Sequence, residues 1–182
     1  MKKIFWLISV FLLVINSMAL VWAHEEIFRE HRYVVVGYEM SWHAAKAHAE
    51  ALDGYLVTIG DEAENAFVGN LVKRSGYRFY WIGLTDEVEE GHFVWVTGKE
   101  SIYTHFGVNE PNNLSNEDYI EVFAEWGNFE WNDIYDECNR HGGHFVPPNS
   151  HAFVVEFDRI TTKVIIRRKL ATTWGVIKQL TN

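Results

Sequence analysis

The segment 109–133 constrains the fold of this chain most, because it combines many oxygen-bearing side chains with little secondary-structure pattern. Its acidic and amide residues fall into three groups: Asn109-Glu110-Pro111-Asn112-Asn113, Asn116-Glu117-Asp118 and Trp131-Asn132-Asp133. Calcium takes about six to eight oxygen ligands in a loose geometry, whereas zinc and copper favour His and Cys. The segment therefore predicts a calcium-binding loop region, and the rest of the chain is its scaffold.

Composition indicates one globular domain with extensions. The chain has 182 residues, of which 48% are hydrophobic and 15% aromatic, so it can bury a substantial core. Cys138 is the only cysteine in the sequence, which excludes an intrachain disulfide. Stability must therefore come from the core and from bound metal.

Residues 1–23 have the pattern of a secretory signal peptide. Lys2 and Lys3 precede an apolar run over 4–14, and the small residue Ala23 ends the segment, which predicts cleavage after Ala23. The alternative is an uncleaved anchor, because the apolar region could just span a bilayer at about 20 residues. We expect a protein secreted or exported to the cell surface or envelope, with no membrane span after cleavage.

Charge is distributed unevenly along the chain. All 25 acidic residues lie within 25–158, together with only 8 basic ones. Such an acidic body argues against nucleic-acid binding, since phosphate contacts need a positive surface. Residues 159–182 carry 6 basic and no acidic residues. This basic extension could be an added strand and helix, a surface anchor, a secretion-related terminus or a solvated tail.

Hydrophobic periodicity predicts an α+β fold. One helix is expected between the N-cap Ser41 and Gly54, and a second between the N-cap Asp61 and Ser75. Apolar runs predict short strands at 31–36, 79–84, 92–96, 119–123 and 152–157, and a short apolar segment lies at 55–59 between the helices. The stretches 97–118 and 124–151 show almost no regular pattern, which is typical of functional loops.

Residues 33–157 resemble the C-type lectin domain. The similar motifs, in chain order, are Trp42 with Ala45, Leu52 with Gly54 and Leu56, Trp81-Ile82-Gly83-Leu84, Glu110-Pro111-Asn112, Glu117-Asp118, Trp131-Asn132-Asp133 and Phe153-Val154-Val155-Glu156. The resemblance implies a lectin-like domain over 24–158, with two helices packed on mostly antiparallel short sheets and a long calcium-binding loop region.

The chain departs from that family at its two disulfides. Ala49 and Val155 stand where the family has one pair, and Tyr119 and Asp136 stand where it has the other. Cys138 lies two residues beyond the expected position and is either free, bonded to another chain or inert. Each missing disulfide would remove about 2 to 4 kcal/mol of constraint, so we expect stability to depend more strongly on calcium.

The resemblance implies a primary calcium site that also binds carbohydrate. Its ligands, carried over by position, are Glu110, Asn112, Glu117, Asn132 and Asp133. The Glu-Pro-Asn order resembles the subclass that binds equatorial 3- and 4-hydroxyls of mannose, glucose or N-acetylglucosamine, or the equivalent hydroxyls of fucose. Gln-Pro-Asp is associated with galactose. The family also implies a cis peptide bond before Pro111.

An auxiliary calcium is implied beside the primary one. Its ligands would be oxygen-bearing residues of two loops, namely Asp86, Glu90, Asn113, Glu117 and Asp118. Other aromatic and His residues admit simpler interpretations. Trp81 and Trp131 are expected in the core, with Trp126 or Phe129 as candidates for contact with a sugar face. The spacing of Cys138, His141, His144 and His151 could hold zinc, although His residues in Gly-rich loops usually have no such role.

These features favour a calcium-dependent carbohydrate-binding protein without catalysis. A single site would bind weakly because little sugar surface is buried, so several copies, as oligomers or arrays, would increase avidity. The alternative is a protein-binding or adhesion module that uses calcium only for stability. A glycosidase would need a carboxylic acid in an apolar pocket, and no pattern in the sequence indicates one.

Overall fold

The computed structural model of the chain describes residues 25–137, 140–141, 144–145 and 150–158. The predicted signal peptide, Cys138, the side chains of His141 and His144, and the basic extension lie outside the described residues. Within the described part, no helix is long and apolar enough to cross a membrane.

The described elements confirm the predicted α+β class. In chain order they are β1 (Glu25–Phe28), β2 (His31–Val36), α1 (Trp42–Ala51), β3 (Tyr55–Leu56), α2 (Glu62–Arg74), β4 (Phe79–Thr85), β5 (Val94–Trp95), β6 (Tyr119–Phe123), β7 (Trp131–Ile134), β8 (Arg140–His141), β9 (His144–Phe145) and β10 (His151–Phe157).

Both helices begin where the sequence predicts. The Ser41 Oγ accepts a hydrogen bond from the backbone N of Ala44 at 3.3 Å. The Asp61 Oδ1 accepts from the backbone N of Glu64 at 3.0 Å, and the Glu64 carboxylate reaches back to the backbone N of Gly60 at 2.8 Å. These bonds satisfy backbone donors that a helix N-terminus leaves without intrahelical partners.

The strands differ from prediction in two ways. β5 is shorter than expected, because the chain turns after Trp95, where Gly98 N donates to Trp95 O at 2.7 Å, and the apolar segment 55–59 contributes only the two-residue strand β3. β1, β7, β8 and β9 are not predicted from the sequence. Half of the residues of β1 and of β7 are polar or charged, and both segments become strands through pairing with β2 and β6.

One mixed sheet organises the domain. Its strand order is β1-β2-β10-β4-β6-β7, with β3 also pairing with β10 and β5 with β4. The pairing of β10 with β4 is parallel, and the other pairs of this sheet are antiparallel. The last described strand is therefore central, and the β6–β7 hairpin lies at one side of the sheet. A separate pairing joins β8 and β9.

Each helix covers one face of this sheet. Successive residues of a strand point to opposite faces, and the side chains of β2 and β10 divide accordingly between two buried clusters. The α2 residues Val68 and Leu71 belong to the first cluster, and the α1 residues Trp42 and Ala49 belong to the second. Val155 lies in the same cluster as Ala49, and both are fully buried.

A buried asparagine connects α2 to the segment that leads into β7. The Trp131 Nε1 donates to the Asn65 Oδ1 at 2.9 Å, and the Asn65 Nδ2 donates to the Phe129 carbonyl oxygen at 3.1 Å. Asn65 is only 2% exposed. Gly69 lies directly under Phe129, since a Cβ there would be 2.2 Å from the ring. These contacts fix the start of β7 on the core.

The substitution Asn65→Ala should lower the free energy of unfolding by about 2 kcal/mol or more, because it leaves the buried indole N–H and the Phe129 carbonyl without their partner. Urea unfolding of the full chain measures the loss. Asn70→Ala is the control. Its exposed amide donates only to Ala66 O within the same helix at 2.7 Å, and its effect should stay within about 0.5 kcal/mol. Equal effects of the two substitutions would contradict the assigned role of Asn65.

Candidate functional site

The β6–β7 hairpin and the loop before it bring the predicted ligands to one region. Asp133 pairs with Ile120 across the hairpin. The loop is attached to β7 by backbone hydrogen bonds, since Trp131 N donates to His105 O and Gly107 N donates to Trp131 O, both at 2.9 Å. The Glu110–Pro111 peptide bond is cis, as the family resemblance implies.

Asp133 lies at the centre of the predicted primary site. Its side chain is 1% exposed, and its two carboxylate oxygens accept the backbone N–H groups of Asn112 at 3.0 Å and Asn113 at 2.6 Å. Glu110 lies close enough for the charge of Asp133 to perturb its carboxyl group. A strand residue thus holds the loop 110–113 against the sheet.

Side-chain hydrogen bonds connect Asn112 and Glu117 to the same network. The Asn112 Nδ2 donates to the Glu110 carboxylate. The backbone N of Leu114 donates to the Asn112 Oδ1 at 2.8 Å and to the Glu117 Oε2 at 3.2 Å. Among the described residues, hydrogen bonds therefore link four of the five predicted primary ligands. The fifth, Asn132, precedes Asp133 on β7 and pairs with Glu121.

Burial and mutual repulsion perturb the acidic groups of this network. Burial first, and then the neighbouring Asp133, raise the pKa of Glu110 to about 7 and that of Glu117 to about 7. Both effects disfavour the ionised forms. A cation bound among these oxygens would reverse the balance, because it favours ionised carboxylates.

The carboxylate and amide oxygens of the site are ligands that calcium prefers. In the structure, hydrogen bonds hold these side chains in place. Across the described residues, no three His, Cys, Asp or Glu side chains converge closely enough to hold a metal ion. The Asp133 oxygens accept backbone N–H groups, and Asn112 donates to Glu110. Calcium binding would therefore exchange some of these hydrogen bonds for metal–oxygen contacts.

Among the predicted auxiliary ligands, Asp86 is buried and lies beside Glu90 and Asp118. Asp86 is 3% exposed, its Oδ2 accepts from Gly91 N at 2.8 Å, and its Oδ1 is buried without a hydrogen-bond partner. Burial, together with the charges of Glu90 and Asp118, raises the pKa of Asp86. The backbone N of Asp86 also donates to Asp118 O at 3.2 Å. The unsatisfied Oδ1 is the type of atom that a cation would engage.

The other two predicted auxiliary ligands, Asn113 and Glu117, contact the primary network. The Asn113 Oδ1 accepts from the backbone N of Glu117 at 2.8 Å, and Glu117 is 4% exposed. The segment 113–118 therefore carries predicted ligands of both sites.

The aromatic candidates separate clearly by exposure. Trp81 and Trp131 are fully buried, as predicted for core residues. Phe129 is also buried, at 6% exposure, because it packs on Gly69; the expectation that it could contact a sugar face is therefore wrong. Trp126 is 65% exposed and stacks on Phe123 with ring centroids 4.7 Å apart.

Sequence patterns miss a buried acid and imidazole beneath the site. Glu121 and His151 are fully buried, and the His151 Nε2 lies 3.3 Å from the Glu121 Oε2. The charge of Glu121 also contributes to the raised pKa of Glu117. The only feature of the sequence that could have indicated this pair is Glu121, the single acidic residue within the apolar strand 119–123. Because His151 packs here in β10, it is held away from solvent, and its suggested zinc partners lie outside the described residues.

Comparison with known proteins identifies the family. A family model described as the lectin C-type domain matches residues 38–146. The chain belongs to the C-type lectin domain family. This family consists of binding proteins rather than enzymes, which agrees with the expectation from the sequence.

Relatives with C-type lectin domains extend over part of the chain. It is 41% identical over 99 residues to the hepatic lectin of Gallus gallus, covering 53% of this chain and 45% of that protein. It is 34% identical over 112 residues to lectin BRA-3 of Megabalanus rosa, covering 60% of this chain and 66% of that protein. The chain thus spans about half to two thirds of the length of these relatives.

A solved C-type lectin domain has a similar fold. It is the cow C-type carbohydrate-recognition domain of CD23, determined in the presence of a GlcNAc2Man3 oligosaccharide. The two are 26% identical with a TM-score of 0.61, and the match covers 76% of this chain and 95% of that one.

In calcium-free buffer, raising the pH from about 5 to about 8 should lower the melting temperature of this domain. Folding raises the pKa of Glu110 and of Glu117 from 4.5 to about 7. The folded chain then binds more protons than the unfolded chain between these values. This stabilisation is complete below the lower pKa and is lost as the pH rises through the higher one. Thermal unfolding in EDTA across this range measures the effect.

Calcium should restore the melting temperature at about pH 8, because it binds the ionised carboxylates. Glu117→Gln is the matched variant: it should flatten the pH dependence in EDTA and reduce the stabilisation by calcium. A melting temperature that increases with pH in EDTA across the same range would contradict the account.

Proposed function

We propose that this C-type lectin domain binds carbohydrate through a calcium ion held by the primary residues Glu110, Asn112, Glu117, Asn132 and Asp133. The observation that carries the proposal is the network in which Glu110, Asn112 and Glu117 meet around the buried Asp133. Its acids disfavour ionisation without a cation, as their raised pKa values indicate. Its amides supply donors that acids lack.

The mixture of acids and amides suits the recognition of neighbouring hydroxyl groups. When bound, calcium accepts one lone pair from each of two sugar hydroxyls. A carboxylate such as Glu110 or Glu117 would accept a hydrogen bond from the hydroxyl, and an amide such as Asn112 or Asn132 would donate one to its remaining lone pair. Each hydroxyl is thereby fixed in direction as well as position, which makes the site sensitive to sugar stereochemistry.

We infer a preference for mannose-type hydroxyl geometry, including glucose, N-acetylglucosamine and fucose. The support is the order Glu110-Pro111-Asn112, which resembles the mannose-binding subclass, together with similarity to a domain studied with a GlcNAc2Man3 oligosaccharide. Galactose should bind less well, because the Gln-Pro-Asp order associated with it is absent from this loop.

An auxiliary calcium completes the proposal. It would engage Asp86, Glu90, Asn113, Glu117 and Asp118, with the unsatisfied Asp86 Oδ1 as the supporting observation. Two ions would offset much of the negative charge that these loops concentrate. We further propose that residues 1–23 direct export and that residues 24–158 form the binding domain. Several copies would compensate for weak single-site affinity.

The full chain should be retained on mannose-agarose in calcium and released by EDTA. Asn112→Ala should lose retention, because it removes both a calcium ligand and a donor to the sugar. Asn128→Ala is the control, since this exposed asparagine lies in the β6–β7 turn outside the proposed ligand set. Its retention should match the wild type. The measurement is the fraction eluted by EDTA.

Retention that persists in EDTA would rule out the calcium-mediated mode of binding. A glycan array without sugar binding, combined with a higher melting temperature in calcium, would instead support a protein-binding or adhesion module stabilised by calcium. Equal loss in the Asn112 and Asn128 variants would contradict the assigned ligand set.

A further inference from the structure

Four side chains outside the proposed ligand set form a contact group that we call the His43 cluster: His43, Glu87, Tyr119 and Asp136. The His43 Nδ1 lies 2.9 Å from the Asp136 Oδ2, and the His43 Nε2 lies 3.2 Å from the Glu87 Oε1. The backbone N of His43 donates to the Asp136 Oδ1 at 3.0 Å. Each ring nitrogen thus faces a carboxylate oxygen, so His43 contacts an acidic side chain at both ends of its ring.

Tyr119 is the aromatic member of the His43 cluster. Its ring packs against His43 with centroids 5.2 Å apart and against Trp42 with centroids 5.0 Å apart. Burial and the neighbouring Glu87 raise the pKa of Tyr119. His43 therefore contacts two carboxylates and an aromatic ring at once, rather than forming a single surface ion pair.

The four members of the cluster belong to four different parts of the chain. His43 is in the first turn of α1, Glu87 follows the auxiliary residue Asp86, and Asp136 follows the end of β7, which carries Asn132 and Asp133. Tyr119 begins β6. The cluster therefore joins the auxiliary loop to the strand that carries the primary ligands, with the helix as a fixed support.

This connection matters because both joined segments are irregular and strongly acidic. No disulfide joins positions 119 and 136, because Tyr119 and Asp136 occupy them and the single cysteine of the chain is Cys138. Close carboxylates on separate loops repel one another. A residue that contacts both Glu87 and Asp136 holds the two segments at a fixed separation before an ion binds. Less loop ordering then accompanies ion binding, so the affinity for the ion is higher.

We propose that His43 is a positioning residue that links the 86–91 loop to the end of β7 and thereby sets the calcium affinity of the domain. The identity of the ion rests on the proposed function, whereas the link between the two segments rests on the His43 contacts with Glu87 and Asp136. His43 and Glu87 are both about half exposed, at 48% and 44% of their side-chain surface. Exposed pairs of this kind contribute little to global stability.

His43→Ala should therefore weaken calcium binding about three- to tenfold while leaving the urea midpoint in EDTA nearly unchanged. The effect arises because both segments lose their shared contact, whereas the core loses only the packing of a half-exposed ring at its edge, beside Trp42 and Tyr119. Isothermal titration of calcium into the full chain measures the affinity. His48→Ala is the control, because this exposed histidine of the same helix packs its ring on Phe153 of β10, which is outside both joined segments. It should bind calcium like the wild type.

Conservative variants test whether the contacts themselves matter. An Asn amide nitrogen stands close to the position of the imidazole Nδ1, and a Gln amide nitrogen stands close to that of Nε2. His43→Asn should retain the contact with Asp136, and His43→Gln should retain the contact with Glu87. Each should recover part of the affinity lost in His43→Ala. His43→Leu separates these contacts from packing, because leucine fills the space without a donor. A purely space-filling role would make His43→Leu recover as much affinity as His43→Asn or His43→Gln.

Amide hydrogen exchange in EDTA tests the link without calcium. His43→Ala should increase exchange both in the 86–91 loop and over 135–137, whereas His48→Ala should not. If the wild type binds no calcium, the proposed function fails, and increased exchange in both segments would still support the link. Unchanged calcium affinity with unchanged exchange would overturn the inference. A loss of affinity fully matched by a lower urea midpoint would also overturn it.

Discussion

The buried carboxylate of Asp133 is the group on which the binding region depends. It is fixed in the sheet because β7 pairs with β6, and its two oxygens hold the backbone of Asn112 and Asn113. A loop without regular structure is thereby attached to a rigid strand. Because loops carry function when a scaffold positions them, this contact connects the fold to the chemistry of the site.

The same contact creates the electrostatic problem that calcium would solve. Attaching the loop to Asp133 brings Glu110 and Glu117 into a partly buried, acidic environment. Burial and the charge of Asp133 disfavour the ionised form of both residues. In the adjacent loop, Asp86 is buried with one oxygen unsatisfied. A fold that concentrates acids in this way is weakened unless protons or cations compensate. Stability and ligand binding are therefore linked through the same oxygens.

Sequence patterns predict the parts of the fold that depend on near neighbours. Ser41 and Asp61 cap their helices through residues three positions away, so the signal is local. β7 is not predicted, because Asn132 and Asp133 have polar side chains and become a strand only by pairing across the hairpin. The family resemblance suggests the ligands. It does not give the contact of Asn112 with Asp133, which are 21 residues apart, nor the burial of Glu121 beside His151.

The most direct test of the central claim is the thermodynamic linkage between calcium and sugar. Calorimetric titrations should measure calcium affinity with and without saturating methyl α-mannoside, and mannoside affinity with and without calcium. If both ligands share the oxygens around Asp133, each should raise the affinity of the other by the same factor. Mannoside binding of equal strength in calcium and in EDTA, or calcium binding unaffected by saturating mannoside, would contradict the account.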